Sequence, residues 1–342
     1  MSYTAYEDAI APDQDVRIAP MRPQDAPGVA ACFRVVYGGD YPIRTYYEPA
    51  ALTEANRTAD ILTWVAITPR EEVVGTANMY RNGCDPRVYE GGGSLVIPKY
   101  RRRGLNLKLN ESIIAEGERN PNITVLFGEP VCNHTHMQKA MLNQGFFFTG
   151  LEMDLMPATA YDRSKDPAER VSMLWNFREM QPRPHGVFLP GALAAPLREI
   201  YGETELERRF SPALETTPSA MESEMRSQVY DFAQAARVDL PLVGRDLPVR
   251  LAELQQDLAG RGVEVLQLRV NLGQPEVGWV VEVLRQAGFF LGGLYPRWFD
   301  YDGLFLQRTA RRPHWEQLHI MPDFSRLLEL VRADWQAVTG GE

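Results

Sequence analysis

One turn of the chain has the residues to bind a polyanion, and it reads P-K-Y-R-R-R-G-L-N at positions 98–106. A strand is predicted before the turn. A helix is predicted after it, because apolar residues recur at four-residue spacing from Leu105 onward. The first N–H groups of such a helix lack intrahelical partners and attract phosphate oxygens. Gly104 lets the backbone approach a ligand closely, and charge-assisted contacts come from three arginines. These are Arg101, Arg102 and Arg103.

This pattern resembles motif A of the GNAT family of acyl-coenzyme A N-acyltransferases, R/Q-x-x-G-x-G/A between a central strand and a helix. Arg101-x-x-Gly104 matches, as does the preceding V-x-P-x-Y-R phrase. The departure is Asn106, where the family prefers Gly or Ala. The resemblance implies that acetyl-CoA binds as a co-substrate through residues on both sides of the turn. They are Leu95, Val96, Ile97, Arg101, Arg102, Arg103, Gly104, Leu105, Asn106 and, further along, Asn133.

Acyl transfer needs an oxyanion donor, a base for the acceptor amine and a fate for the thiolate. By resemblance, the donor is a backbone N–H within residues 95–97, and the base is sought among three side chains. The candidates are Glu90, Glu129 and His134. The family's usual tyrosine acid is replaced by Met141, but a thiol of pKa about 8.5 can leave as thiolate without it.

The acceptor is expected to be a small-molecule or peptide amine, whose identity the sequence leaves open. In the family the segment holding Tyr41, Tyr46 and Tyr47 walls the acceptor pocket, with simple packing of aromatic rings as the alternative. The leading function is an N-acyltransferase that moves the acyl group directly to the amine. The alternative is an inactive GNAT-like module that binds or senses acyl-CoA, which Asn106 and Met141 favour.

The composition of the chain argues against several classes of binding partner. The chain has 342 residues and a formal net charge of -9, which argues against nucleic-acid and membrane binding. No apolar run reaches membrane length and the first residues do not resemble a signal sequence, so we expect a cytoplasmic protein. Three cysteines without a C-x-x-C motif suggest neither a disulfide framework nor a zinc site. Cys132, His134 and His136 hint at a metal but lack a fourth ligand, and we predict none.

The predicted fold is mixed α/β, or α+β: a tandem GNAT fold with a mostly antiparallel central sheet, splayed parallel strands and flanking helices. We expect a flexible tail over residues 1–15, an acyltransferase domain over 16–160 and a degenerate GNAT-like domain over 161–342. A strand carrying Val171, Met173, Trp175 and Phe177 is predicted to begin the second domain. The final helix, from about Asp323, packs on its own domain or contacts a second subunit, which leaves a homo-oligomer open.

An internal echo supports the second GNAT-like unit. G-F-F-F-T-G-L at positions 145–151 recurs as G-F-F-L-G-G-L at 288–294. Each copy follows a predicted strand, which carries Val125 and Leu126 in the first case and Val265 and Leu266 in the second. The alternative is a chance match between apolar hairpins. Where the phosphate-binding turn belongs, the second half reads V-G-R-D-L-P, and Asp246 at a helix start would repel phosphate. We therefore expect no acyl-CoA site in the second half.

Overall fold

The computed structural model describes residues 3–160, 165 and 169–341. Its contacts divide the chain into two compact units, Met1–Gly128 and Glu129–Glu342. The sequence predicted a boundary near residue 160, in a segment of which only Lys165 lies within the described residues. The first unit is therefore shorter than the predicted acyltransferase domain, and the last strand of that domain belongs to the second unit.

The first unit alternates helices and strands. In chain order these are α1 Tyr3–Ala9, β1 Arg17–Pro20, α2 Ala26–Tyr37, α3 Pro49–Arg57, β2 Ile61–Ile67, β3 Val73–Arg81, β4 Val88–Val96, α4 Leu105–Arg119 and β5 Val125–Gly128. Strands β1 to β4 pair antiparallel in sequence order, and β5 joins β4 in parallel. The crossover from β4 to β5 is α4, whose Leu105, Leu109 and Ile113 are buried at the predicted four-residue spacing.

The predicted flexible tail is wrong for the part of it that the structure describes. Residues 3–9 form α1, and the chain that follows is hydrogen bonded to the turn after β4. Ile10 is buried, and the Tyr6 hydroxyl donates to the carbonyl oxygen of Val73 at 3.0 Å. The sequence did not reveal these contacts, because they join residues 67 to 89 positions apart.

The second unit holds the remaining elements. They are α5 His136–Asn143, β6 Phe147–Pro157, β7 Arg170–Glu179, β8 His185–Leu189, α6 Ala194–Gly202, β9 Arg208–Pro212, β10 Glu224–Tyr230, β11 Ala235–Leu242, α7 Leu247–Gly260, β12 Val265–Asn271, α8 Val277–Gln286, β13 Phe290–Tyr295, β14 Gly303–Thr309 and α9 Ser325–Thr339. Strands β8 and β9 form a separate parallel pair. The others follow the order β7-β6-β13-β14-β12-β11-β10.

The second half was predicted to begin with the strand around Trp175 and to contain a copy of the segment at 145–151. The strand around Trp175 exists as β7, but it pairs antiparallel with β6 and is the second strand of the second unit, not the first. The echoed segments become equivalent strands: β6 follows α5, and β13 follows α8. Each has an antiparallel neighbour, β7 or β14, and Gly293 of β13 pairs with Gly150 of β6.

The predicted fold class is confirmed. Both units are mixed α/β, and their strand pairing is mostly antiparallel. Apart from β8 and β9, the described part of each unit contains one parallel neighbour pair linked through a helix. That pair is β4 with β5 in the first unit and β11 with β12 in the second. Among the described residues, no helix is both long and apolar enough to span a bilayer.

Candidate active site

Strands β4 and β5 stay together for only three residue pairs, from Val88 opposite Val125 to Glu90 opposite Phe127. Beyond Glu90, β4 runs on to Val96 with β3 along one edge. Its path bends at a bulge, where the register with β3 shifts by one residue and Gly93 takes a φ of 60°. A bulge of this kind increases local twist, which accounts for the early parting of two parallel strands. From Gly91 to Val96 the edge of β4 away from β3 has no strand partner among the described residues, and it is called the open edge below.

The backbone along this edge narrows the choice of oxyanion donor. Ile97 donates its N–H to the carbonyl oxygen of Val74 at 3.0 Å, so that group is already engaged by β3. Because N–H groups alternate in direction along a strand, Leu95 also faces β3 and Val96 faces the open edge. The Val96 carbonyl oxygen also points away from β3, and it accepts a hydrogen bond from Arg101 Nε at 3.0 Å. Of residues 95–97, Val96 is the one placed to donate.

The turn after β4 contains two left-handed residues and leaves the start of a helix uncovered. Pro98–Tyr100 form a single 3₁₀ turn, and both Arg102 and Gly104 are left-handed, with φ of 62° and 71°. Helix α4 then begins at Leu105, with Gly104 as its N-cap. A Cβ added to Gly104 would meet no atom within 4 Å, so the space before the helix is open. The first N–H groups of α4 point into that space.

The predicted socket residues divide into two groups. Arg102 and Asn106 are exposed at the mouth of the turn, whereas the Leu105 side chain is buried beneath it. Arg101 folds back on the end of β4, and Arg103 donates to the carbonyl oxygen of Gln14 at 2.9 Å. Arg102 is thus exposed to solvent at the start of α4, while Arg103 is hydrogen bonded to the protein itself.

Glu90 is the candidate base on the first unit. It is half-buried at the last residue pair before β4 and β5 part, and its Oε2 accepts a hydrogen bond from Asn82 Nδ2 at 2.6 Å. Tyr80 lies opposite Glu90 on β3. Burial, followed by the negative charge of Glu90, raises the pKa of the Tyr80 hydroxyl well above its usual value. Tyr80 therefore stays protonated and can donate to the carboxylate.

An aromatic cluster lies next to this carboxylate, within the first unit. Phe33 stacks on Tyr46 with ring centroids 4.4 Å apart, and Tyr41 contacts both rings. Burial raises the pKa of Tyr41 and of Tyr46, and Glu90 adds to each shift. Tyr47 accepts the backbone N–H of Tyr41 at 2.9 Å, which fixes the loop. Tyr41, Tyr46 and Tyr47 thus take part in the packing of aromatic rings, and Tyr41 and Tyr46 lie within range of the Glu90 charge.

The remaining predicted residues lie in the second unit. Glu129 forms an ion pair with buried Arg237 at 2.8 Å, so its carboxylate is occupied by a cation. Asn133 and His134 are exposed, and the His134 ring contacts that of His136 at 5.2 Å. Burial raises the pKa of the Cys132 thiol, which makes this cysteine a weak nucleophile. Among described residues, no group of three or more His, Cys, Asp or Glu side chains is arranged to hold a metal.

The second unit also contains a cavity of about 570 Å³ that the sequence did not reveal. Cys132, Asn133 and His314 are among the residues that line it. Asp154 of β6 orients His314, because its Oδ2 lies 2.9 Å from the ring Nδ1. No local pattern could have found this pair, since 160 positions separate its members.

The second parallel strand pair lacks the features of the first. Strands β11 and β12 pair for six consecutive positions, from Ala235 opposite Val265 to Leu240 opposite Val270, and do not part early. At the start of the following helix, Asp246 Oδ1 accepts from the Ser223 backbone N–H and hydroxyl, at 2.8 and 2.7 Å. Asp246 is the N-cap of α7, so the acid lies at the helix start, where the sequence predicted it.

Comparison with known proteins gives structural neighbours only. No family model matches the chain, and no curated protein matches it either. Solved structures that resemble it include N-acetyltransferases, each matching about half of the chain. A Staphylococcus aureus N-acetyltransferase is 13% identical, with a TM-score of 0.40, covering 49% of this chain and 100% of its own. The ribosomal-protein-S18-alanine N-acetyltransferase of Escherichia coli is 15% identical, with a TM-score of 0.38, 49% of this chain and 96% of its own covered.

A third neighbour, from Salmonella typhimurium, is assigned as an acetyltransferase and was solved with its cofactor acetyl-CoA. It is 15% identical to this chain, with a TM-score of 0.39, and the match covers 50% of this chain and 96% of that one. At such identities a likeness concerns the fold.

Proposed function

We propose that the chain is an acyl-CoA-dependent N-acyltransferase that binds acetyl-CoA on its first unit and passes the acetyl group directly to an amine. The observation that carries this proposal is the early parting of β4 from β5, directly followed by the left-handed turn at the start of α4. An extended chain of amides can hydrogen bond along an open strand edge. A pyrophosphate fits the helix N-terminus that follows.

In this arrangement each residue has a defined role. The N–H groups at the start of α4 and the Arg102 guanidinium bind the pyrophosphate oxygens, and Gly104 leaves room for them. The open edge of residues 91–96 holds the pantetheine arm. The Val96 N–H is directed to the thioester oxygen and stabilises the negative charge that develops as the amine attacks.

The acceptor enters as a neutral amine, because an ammonium group has no lone pair for the attack. Glu90 takes the proton that the amine loses, directly or through one water, while Asn82 and Tyr80 hold its carboxylate in place. The bond between the carbonyl carbon and sulfur then breaks, and the sulfur departs with its electron pair as thiolate. Met141 stands where the family has an acid, so bulk water supplies the proton that neutralises the thiolate.

One experiment tests the proposal directly. Purified chain is titrated with acetyl-CoA by calorimetry, and thiol release is then followed with a panel of amines. We expect saturable binding, a rise in the melting temperature and thiol release that requires an amine. Absence of binding at millimolar acetyl-CoA would refute the proposal.

The inactive binding or sensing protein remains the second candidate, and Asn106 and Met141 favour it. Asn106 is exposed in the first turn of α4, where its side chain adds bulk beside the pyrophosphate. This alternative predicts the same calorimetric binding without amine-dependent thiol release for any acceptor. The two measurements therefore separate binding from turnover.

A further inference from the structure

We propose that residues 3–14, here called the N-terminal strap, hold the turn of residues 98–104 in the conformation that binds the pyrophosphate of acyl-CoA. This inference rests on the function proposed above and adds a positioning segment to it. The strap precedes β1 and contributes no residue to the socket. Its role is to fix the backbone that does.

The strap is hydrogen bonded to the turn at Lys99, the second residue of the turn. The Lys99 backbone N–H donates to Glu7 Oε1 at 2.6 Å, so a side chain of α1 fixes the main chain of the turn. In return, Lys99 Nζ donates to the carbonyl oxygens of Glu7 and Ile10, at 2.6 and 2.9 Å. These carbonyls belong to the C-terminal end of α1, where a cation is favoured by the helix dipole.

Further contacts follow along the turn. The buried Tyr100 hydroxyl donates to the carbonyl oxygen of Ala11 at 2.6 Å and accepts from Gln14 Nε2 at 3.2 Å. Arg103 donates to the carbonyl oxygen of Gln14 and lies over the Tyr100 ring, with 5.1 Å from its Cζ to the ring centroid. The strap therefore contacts the turn at the two residues before Arg101 and again at Arg103.

The conformation of the turn explains why it needs such support. Arg102 is left-handed although it has a Cβ, and a second left-handed residue, Gly104, follows two positions later. A side-chain-bearing residue in this region costs on the order of 1 kcal/mol or more, and it persists where surrounding contacts fix the backbone. Lys99 lies three residues before Arg102 and Arg103 directly follows it, and both are hydrogen bonded to the strap.

The predicted effect concerns one substrate group. If the turn is ordered only part of the time, the apparent affinity for the pyrophosphate falls by that fraction, whereas chemistry at the thioester is unchanged. We expect Glu7→Ala to raise the KM for acetyl-CoA roughly tenfold and to leave kcat within about twofold. Acetyl-pantetheine, which lacks the pyrophosphate, should react equally well with the variant and the parent chain.

A second measurement is independent of acyl-CoA. Trypsin cleaves after Arg and Lys, and Arg101 and Arg102 are exposed in the turn. We expect Glu7→Ala to be cleaved there several times faster than the parent, at an unchanged melting temperature. The matched control is Asp8→Ala, which removes an exposed acid from the adjacent position of α1 and should behave as the parent does. Lys99→Met removes the side chain of the turn that donates to the strap, and exposed Lys139→Met is its control.

The outcomes separate this inference from the proposed function. Faster cleavage together with a raised KM for acetyl-CoA alone supports the strap. Unchanged cleavage, or faster cleavage with an unchanged KM, overturns it, and so does an equal loss with acetyl-pantetheine. If the parent chain binds no acetyl-CoA, the proposed function fails, and the tryptic cleavage of Glu7→Ala still decides whether the strap holds the turn.

Discussion

Gly150 and Gly293 lie opposite each other as the antiparallel residue pair that joins β6 to β13. They are also the same position in the two copies of the echoed segment, since each is the sixth residue of its copy. A segment that pairs with its own copy at equivalent residues is related to it by an approximate two-fold axis. This self-pairing supports the interpretation that the second half repeats a unit of the first kind.

The close approach of these strands predicts a severe effect for Gly293→Ala. The new Cβ would lie 2.0 Å from the carbonyl oxygen of Thr149 and 2.5 Å from the Cα of Gly150, both backbone atoms. We expect a loss of more than about 3 kcal/mol in the free energy of unfolding, measured by chemical denaturation. Gly262→Ala is the control, because Gly262 also has a positive φ but open space around it. Equal losses for the two variants would contradict the steric explanation.

Local patterns were sufficient for some features and insufficient for others. The strand, turn and helix around Gly104 follow from short-range rules on strand formers, proline and helix starts, and the structure agrees with them. The strap was missed because it is polar and its partners, such as Tyr100, are distant in sequence. The pairing of Glu129 with Arg237 was missed for the same reason: nothing near either residue indicates the other.

Gly104→Asn tests the phosphate socket. Asparagine tolerates the left-handed conformation, so the fold should persist, but its side chain would occupy the open space before α4. We expect the calorimetric affinity for acetyl-CoA to fall roughly tenfold or more, at a nearly unchanged melting temperature. Gly262→Asn, with a φ of 73° and equally open surroundings, should bind acetyl-CoA as the parent does. Unchanged affinity in folded Gly104→Asn would exclude the socket.

Glu90→Gln tests the base. The amide is the same size and can still contact Asn82, but it cannot accept the proton of the amine. We expect kcat/KM to fall roughly a hundredfold with a confirmed acceptor, and its rise with pH through the ionisation of the base to disappear. Exposed His134 is the comparison, and His134→Ala should retain near-full activity. The opposite result would assign the base to His134, and full activity in both variants would leave the proton to bound water.

The second unit should bind no acetyl-CoA of its own. Its parallel strands stay paired over six positions, and Asp246 fills the helix start with a carboxylate. Calorimetric titration should therefore give one acetyl-CoA per chain. Asp246→Asn removes the charge but does not part the strands, so it should not create a second site. A stoichiometry near two, in the parent or in this variant, would disprove the assignment of a single site.

The last prediction concerns a buried acid in the second unit. Burial, and then the charge of Glu129, raise the pKa of Glu152 to about 7, against the opposing effect of Arg237. Its carboxyl group also accepts a hydrogen bond from the Tyr295 hydroxyl. Between the unfolded pKa near 4.5 and the folded value near 7, the native state therefore holds a proton that the unfolded state has lost.

The free energy of unfolding should consequently decrease as pH rises through this window, by on the order of 2 kcal/mol from Glu152. Glu152→Gln keeps the shape and cannot ionise, so its unfolding free energy should depend less on pH between about 4.5 and 7. Urea denaturation across that range measures the difference, with exposed Glu203→Gln as the control that keeps the parent's slope. Identical slopes for Glu152→Gln and the parent would show that Glu152 is ionised in the folded protein, paired with Arg237 throughout.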